Sequence, residues 1–346
     1  MTRSRKIFRI GFAGVAVLLA LAGAYATWCY LYMQDVRMLP LATRMATVGK
    51  DAGLGVTQPV QTLVANLPDF DVLVLGEEHR EDRHAAALIA VMMESERVFP
   101  WKLGLLGLEV FGRYQALIDA FLATGDEGPL LESPGQEALR GQKGDPRIIA
   151  SFLRILHAVR IINSGRTPKT AMKVMAMDHA PNEELFRGWW DRANIIDRLQ
   201  WVMGRDGAMA ATLMPQIESL KAEGRYSLIF VGTAHVQGSG KTVVGPPLLA
   251  QSVTWLATRL GANSRVLTVN QNDPANDCDD VIEAFLKARG DKAATLIDLR
   301  TDSLGDVLTM RCAEEFPPPL PFRFEPVNYK ARDHYNFYWY YPPRRA

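Results

Sequence analysis

The stretch SLIFVGTAHVQGSGKTVVG, residues 227–245, starts as an apolar run and breaks at a glycine into a histidine-bearing segment. Its GSGKT invites a nucleotide-binding reading, since a P-loop is a strand followed by G-x-x-x-x-G-K-[S/T] whose backbone N–H groups surround phosphate. The first glycine of that pattern would have to stand at 235, where the chain has His235. A side chain there blocks the close backbone approach that phosphate needs. The segment therefore reads as a strand, Ser227 to Val231, a G-x-x-H turn, and then GSGKT as loop before a helix from Pro247 to Leu260.

Other apolar runs share this form: DVLVL (71–75), LLGLEV (105–110), KVMAM (173–177), RVLTV (265–269) and TLIDL (295–299). Short continuous runs, as opposed to alternating ones, suit strands buried on both faces of a parallel sheet. Helix-like stretches lie between them, over 83–97, 136–163, 183–203, 207–223, 247–260 and 279–289. Strand and helix in alternation predict an α/β fold, a central mostly parallel sheet with helices on both faces.

Before this pattern, residues 10–33 carry no charge over 24 positions and follow Arg3, Arg5, Lys6 and Arg9. Such a helix would be roughly 36 Å long, against about 30 Å of hydrocarbon. The reading is one N-terminal transmembrane helix with its basic start in the cytoplasm, placing the rest outside a bacterial inner membrane, in the periplasm. Ala24-Tyr25-Ala26 is the alternative, a cleavage site that would release the chain. Of the 39 Lys and Arg, the four at the start leave 35 against 38 acids, a balance of −3. That gives no basic face and no expectation of nucleic-acid binding. Cys278 and Cys312 could pair in an oxidising compartment.

The expected organisation is thus residues 1–36 as basic start and anchor, 37–312 as the α/β domain, and 313–346 as an arm. The arm holds FPPPLPF (316–322), where prolines exclude interior helix or central strand, and the aromatic HYNFYWYY (334–341).

Ligands in open parallel sheets bind beyond the carboxyl ends of the strands. There the sequence places Gly76-Glu77-Glu78-His79, Glu109, Asp178-His179 and Gly232-Thr233-Ala234-His235. Two imidazoles and a carboxylate are a recurrent set for a catalytic divalent metal, so His79, Glu109 and His235 are the candidate ligands. Metal-bound water supplies hydroxide near neutral pH, with Glu77 as base. Without a metal, the same groups form a His/Glu acid–base pair. His84 reads as either a neighbour of this site or a helix-surface residue, and His157 as structural. Arg205-Asp206 reads either as a substrate-carboxylate or Glu109 partner, or as an exposed helix start capped by Asp206. Arg205, Asp178 and His179 are the substrate-binding candidates.

Four blocks extend this reading. LVLGEEHREDRHAAAL (73–88), LGLEVFGRYQALIDAFL (106–122), RDGAMAATL (205–213) and FVGTAHVQGSG (230–240) occur in that order. Together they resemble the superfamily of ChaN-like haem-binding proteins, erythromycin-esterase-like enzymes and TIKI/TraB-type proteases, the ChaN-like branch most closely. The resemblance implies an α/β fold with Glu77, His79, Glu109 and His235 at one site and Arg205 as the motif arginine. The leading expectation is hydrolysis of an ester or peptide bond, with or without a divalent metal. The alternatives are a ChaN-like haem-binding protein without hydrolytic activity, to which the aromatic tail would contribute, and a scaffold for a protein partner. A homo-oligomer is compatible with any of these.

Overall fold

All six apolar runs form strands, and most of their residues are buried, as their continuous apolar composition predicts. The structure is a computed structural model that describes residues 19–24, 27, 52, 53, 55, 56, 58–77, 82–132, 146–179, 193, 195–238, 242–244, 251–271, 281–290, 292–309, 324, 325 and 329–342. The chain divides into two compact units, Met1–Ala46 and Thr47–Ala346, and the elements named below belong to the second.

In chain order these are α1 (Pro59–Asn66), β1 (Val72–Glu77), α2 (Asp82–Val98), β2 (Leu103–Phe111), α3 (Gln115–Thr124), α4 (Gly128–Glu132), α5 (Pro146–Ser164) and β3 (Lys173–Asp178). There follow α6 (Ile195–Ala222), β4 (Tyr226–Gly232), β5 (Thr242–Val244), β6 (Gln251–Val253), α7 (Leu256–Leu260), β7 (Val266–Gln271) and α8 (Val281–Arg289). The last are β8 (Thr295–Asp298), β9 (Leu308–Thr309), β10 (Phe324–Glu325), β11 (Tyr329–Lys330), α9 (Ala331–His334) and β12 (Phe337–Tyr340).

The main sheet has seven strands in the order β3-β2-β4-β1-β7-β12-β8. All neighbours are parallel except β8, which runs antiparallel to β12 at one edge. Alternate side chains point to opposite faces. On one face Leu73, Leu75, Leu106, Leu108, Leu228 and Phe230 pack in a single core with residues of α1, α2, α3 and α5. Gly107 faces the other way, toward Leu213 of α6: a Cβ there would stand 2.7 Å from Ile229 and 3.0 Å from Leu213, so only glycine lets the helix lie so close.

Three expectations are corrected. The stretches 183–203 and 207–223, read as two helices, join in the single helix α6 over its described residues, because Gly204 and Gly207 weaken a helix without ending it. The expected helix 247–260 is only α7, preceded by β6, which pairs with β5 and leaves GSGKT partly in a small sheet with β10. The aromatic run is not an arm laid on the domain. Phe337–Tyr340 is a fully buried strand between β7 and β8. Consecutive aromatics are strong strand formers, but only the slot between β7 and β8 makes this run interior.

Among the described residues no helix is long and apolar enough to cross a membrane. Residues 19–24 and 27 of the expected anchor are helical, and the rest of 10–33 lies outside the described residues, as do Ala26, Cys278, Cys312 and the proline run 316–322.

Candidate functional site

Because β3, β2, β4, β1 and β7 are parallel, their carboxyl ends form one rim. Register sets the residues along it: Asp178 lies opposite Phe111 at the end of β2, and Glu77 lies opposite Gly232. Glu77, Glu109, Asp178 and His235 are all buried. His235 reaches the rim on a short 3₁₀ turn, Thr233–Val236, that follows β4 directly. Gly76 makes room for this turn, since a Cβ would come within 2.8 Å of Val236. Its role is close approach.

Arg205 is the hub of the site. Its Nε and Nη2 donate to the two carboxylate oxygens of Asp178, each at 2.7 Å, a bidentate arrangement. Nη2 also pairs with Glu109 Oε1, and Nη1 stands 3.4 Å from His235 Nε2. Glu109 Oε2 accepts from the Gly232 backbone N–H at 2.6 Å. Burial opposes the Arg205 charge, but the carboxylates of Glu109, Asp178 and Asp206 outweigh it and raise its pKa above the usual arginine value. The guanidinium also lies over the Trp201 ring at 5.0 Å.

The other ring nitrogen of His235 has a different partner. Nδ1 lies 2.6 Å from Asp206 Oδ1, while Asp206 Oδ2 accepts the Leu256 backbone N–H at 2.6 Å. With an ionised Asp206, Nδ1 carries the proton and Nε2 is left as an acceptor, which also suits the guanidinium facing it. Trp255 meets the imidazole edge-on at 5.9 Å. Asp206 is fully buried. It is therefore neither exposed nor a helix cap. It belongs to the inward stripe of α6 with Met209, Leu213, Ile217 and Leu220, all buried. An acid in phase with four apolar positions at helical spacing was the signal for it in the sequence.

The structure brings Glu109, Asp178, Arg205 and His235 into direct contact and places Glu77 at the adjoining strand end. It leaves His179 exposed, with its backbone N–H held by Asp178 at 2.8 Å and its carbonyl by Trp201 at 2.9 Å. His79 lies outside the described residues. His84 is fully buried against the Tyr341 ring at 5.3 Å, so it is not a surface histidine.

The expected metal set of His79, Glu109 and His235 does not match the described part of this arrangement. Both Glu109 oxygens are already taken, by Arg205 and by Gly232. His235 uses one nitrogen on Asp206 and turns the other toward a guanidinium. A divalent ion between Glu109 and His235, whose Nε2 lies 3.7 Å from Oε1, would sit against that positive charge. Among the described residues no group of three His, Cys, Asp or Glu could hold a metal ion. The aromatic run expected to join a haem site is interior strand.

No family model matches the chain, and no curated protein does so. Solved structures do. An erythromycin esterase mutant in its open conformation aligns at a TM-score of 0.52 with 8% identity, over 84% of this chain and 97% of that one. A succinoglycan biosynthesis protein aligns at 0.51 with 9% identity, over 87% and 96%. The ChaN of Campylobacter jejuni with cofacial haem reaches 0.36 with 13% identity, over 63% and 87%. The chain spans 37% of the length of a bacterial protein toxin that it matches at 0.35. At these identities the likeness is one of fold, and it is carried by the first two. The chain has the α/β fold of the erythromycin esterase and of the succinoglycan biosynthesis protein.

Proposed function

We propose that this protein is a hydrolase acting on an ester or peptide bond, with His235 as general base and Asp206 as the group that orients it. The observation that carries this reading is the buried Asp206–His235 pair at 2.6 Å, at the carboxyl rim of a parallel sheet. An imidazole held by a carboxylate at Nδ1 presents Nε2 as a base, and a neutral imidazole is suited to proton transfer near pH 7. The 3.4 Å approach of Arg205 to Nε2 is long for a hydrogen bond and can give way to a water molecule.

In the reaction, Nε2 takes a proton from water as the water oxygen bonds to the carbonyl carbon. The tetrahedral species then collapses, the bond to the leaving oxygen or nitrogen breaks, and the imidazolium returns the proton to that group. Asp206 stabilises the imidazolium in between. Glu109 is locked by Arg205 and Gly232, so its role is to fix the guanidinium beside the reacting centre. Glu77, at the neighbouring strand end, is the second carboxylate and orients the attacking water. His79, from the same motif, is assigned to substrate contact on the strength of the sequence resemblance alone. Anchoring through residues 10–33, with the site on the periplasmic side, is part of the proposal, and membrane fractionation of the full chain tests it.

The test is hydrolysis of short-chain p-nitrophenyl esters and of a casein substrate by the full chain in detergent. Turnover by the wild type that is lost in His235→Ala supports the reading. If neither substrate class is turned over, or if the variant matches the wild type, the reading fails.

A further inference from the structure

The aromatic C-terminal run has a place in the sheet but none in the chemistry above, and its contacts lead back to the site. Gln271, at the end of β7, is 1% exposed. Its Nε2 donates to the Gly76 carbonyl at 2.6 Å, and its Oε1 accepts from the Tyr341 hydroxyl at 2.6 Å. One carboxamide thus joins the C-terminal segment to the residue immediately before Glu77. The other flank of the same connection is also held. Arg83, at the start of α2, donates to the Pro342 carbonyl at 2.7 Å and lies over the Tyr341 ring at 5.5 Å, and His84 packs on that ring. Trp339 stacks on Tyr341, at 5.6 Å and 16°.

Chain connectivity makes this arrangement significant. Glu77 ends β1 and Asp82 begins α2, so the link that carries the G-E-x-H motif is short. On one flank Arg83 touches Pro342, 259 residues further along the chain, and on the other Gly76 is joined to Tyr341 through Gln271. We propose that Tyr341 and Gln271 form a clamp that sets the position of Glu77 through Gly76, and that they are positioning residues for the hydrolytic site. This rests on the reading given under Proposed function. The clamp also makes the site depend on the last strand of the domain, so a chain lacking β12 would hold its rim unsupported.

The chemistry of the two groups gives the test. Tyr341→Phe keeps the ring, its stacking on Trp339 and its contacts with Arg83 and His84, and removes only the hydroxyl that orients Gln271. Gln271→Leu keeps the volume and removes the donor to Gly76. Both are to be made in the full chain and compared by hydrogen exchange of the peptide covering 73–88, by thermal melting, and by ester hydrolysis. The clamp predicts faster exchange in that peptide for both variants, with melting little changed in Tyr341→Phe. It also predicts a fall in kcat of about ten- to a hundredfold with KM retained, as for a displaced reacting group. A filler role would shift melting without splitting kcat from KM.

Exchange at the wild-type rate overturns the clamp. Faster exchange with an unchanged kcat overturns its role in the reaction. If the wild type hydrolyses nothing, the exchange measurement still decides the clamp while the hydrolase reading falls separately.

Discussion

Asp206 and His235 lie 29 residues apart in the chain and on different elements, yet their side chains meet at 2.6 Å with the acid fully buried. A helix interior and a turn after a strand thereby supply the two halves of one proton-transfer unit. In Asp206→Asn, the amide oxygen can keep the Leu256 N–H while the NH₂ faces Nδ1, forcing the proton onto Nε2. Hydrolysis is expected to fall by roughly 10²–10⁴-fold, with the far-ultraviolet circular dichroism unchanged. A variant with wild-type turnover would separate Asp206 from the chemistry.

Arg205 balances two buried carboxylates at once. Replacing it with Met leaves Glu109 and Asp178 without their cation, and breaking a buried pair in this way costs about 3–5 kcal/mol. Urea unfolding of Arg205→Met should show that loss. Adding Glu109→Gln should recover part of it, because the carboxyl that is stranded is then uncharged. Arg205→Lys should behave more like Met than like the wild type, since an ammonium cannot make the planar contact with Asp178.

Chelation gives a direct check on the metal question. With the guanidinium occupying the space between Glu109 and His235, ester hydrolysis should survive prolonged dialysis against EDTA within experimental scatter. A loss on chelation that is restored by a divalent ion would show that Arg205 can yield its place.

The pH dependence of stability should carry the mark of His334, which is buried at the end of α9. Burial pushes its pKa down to about 4, against a smaller upward pull from Asp333. The unfolded chain then binds a proton that the native state refuses. Stability from this group is complete above about pH 6.5 and is lost as pH falls toward 4, amounting to on the order of 3 kcal/mol. Thermal melts from pH 7 to pH 4 should fall more steeply for the wild type than for His334→Gln. The His334 carbonyl accepts from Gly238 N at 2.7 Å, so the segment beyond His235 should be among the first to lose protection.

Much of the rim was legible in the sequence. Continuous apolar runs such as DVLVL and SLIFV are buried strands because no polar face interrupts them, and Glu109, Asp178 and His235 follow from where those runs end. Arg205 was legible only as two alternatives, and its contacts decide for the partner of Glu109. For Asp206 the surface cap stands in the sequence as one of two alternatives. Its phase with Met209, Leu213, Ile217 and Leu220 carried the opposite message. HYNFYWYY reads as part of an arm because three consecutive prolines stand upstream of it and nothing local reveals a vacant slot between two strands.

The sequence by itself determined the alternation of buried strands and helices, and with it the edge on which polar residues collect, because both depend on hydrophobic pattern within a few neighbouring residues. Only the tertiary structure decided that a guanidinium from α6 occupies the place expected for a metal, that Asp206 faces His235, and that Tyr341 reaches Gln271 behind the rim. Those are contacts between segments remote in sequence, set by strand order and helix packing, and no local pattern encodes their distance.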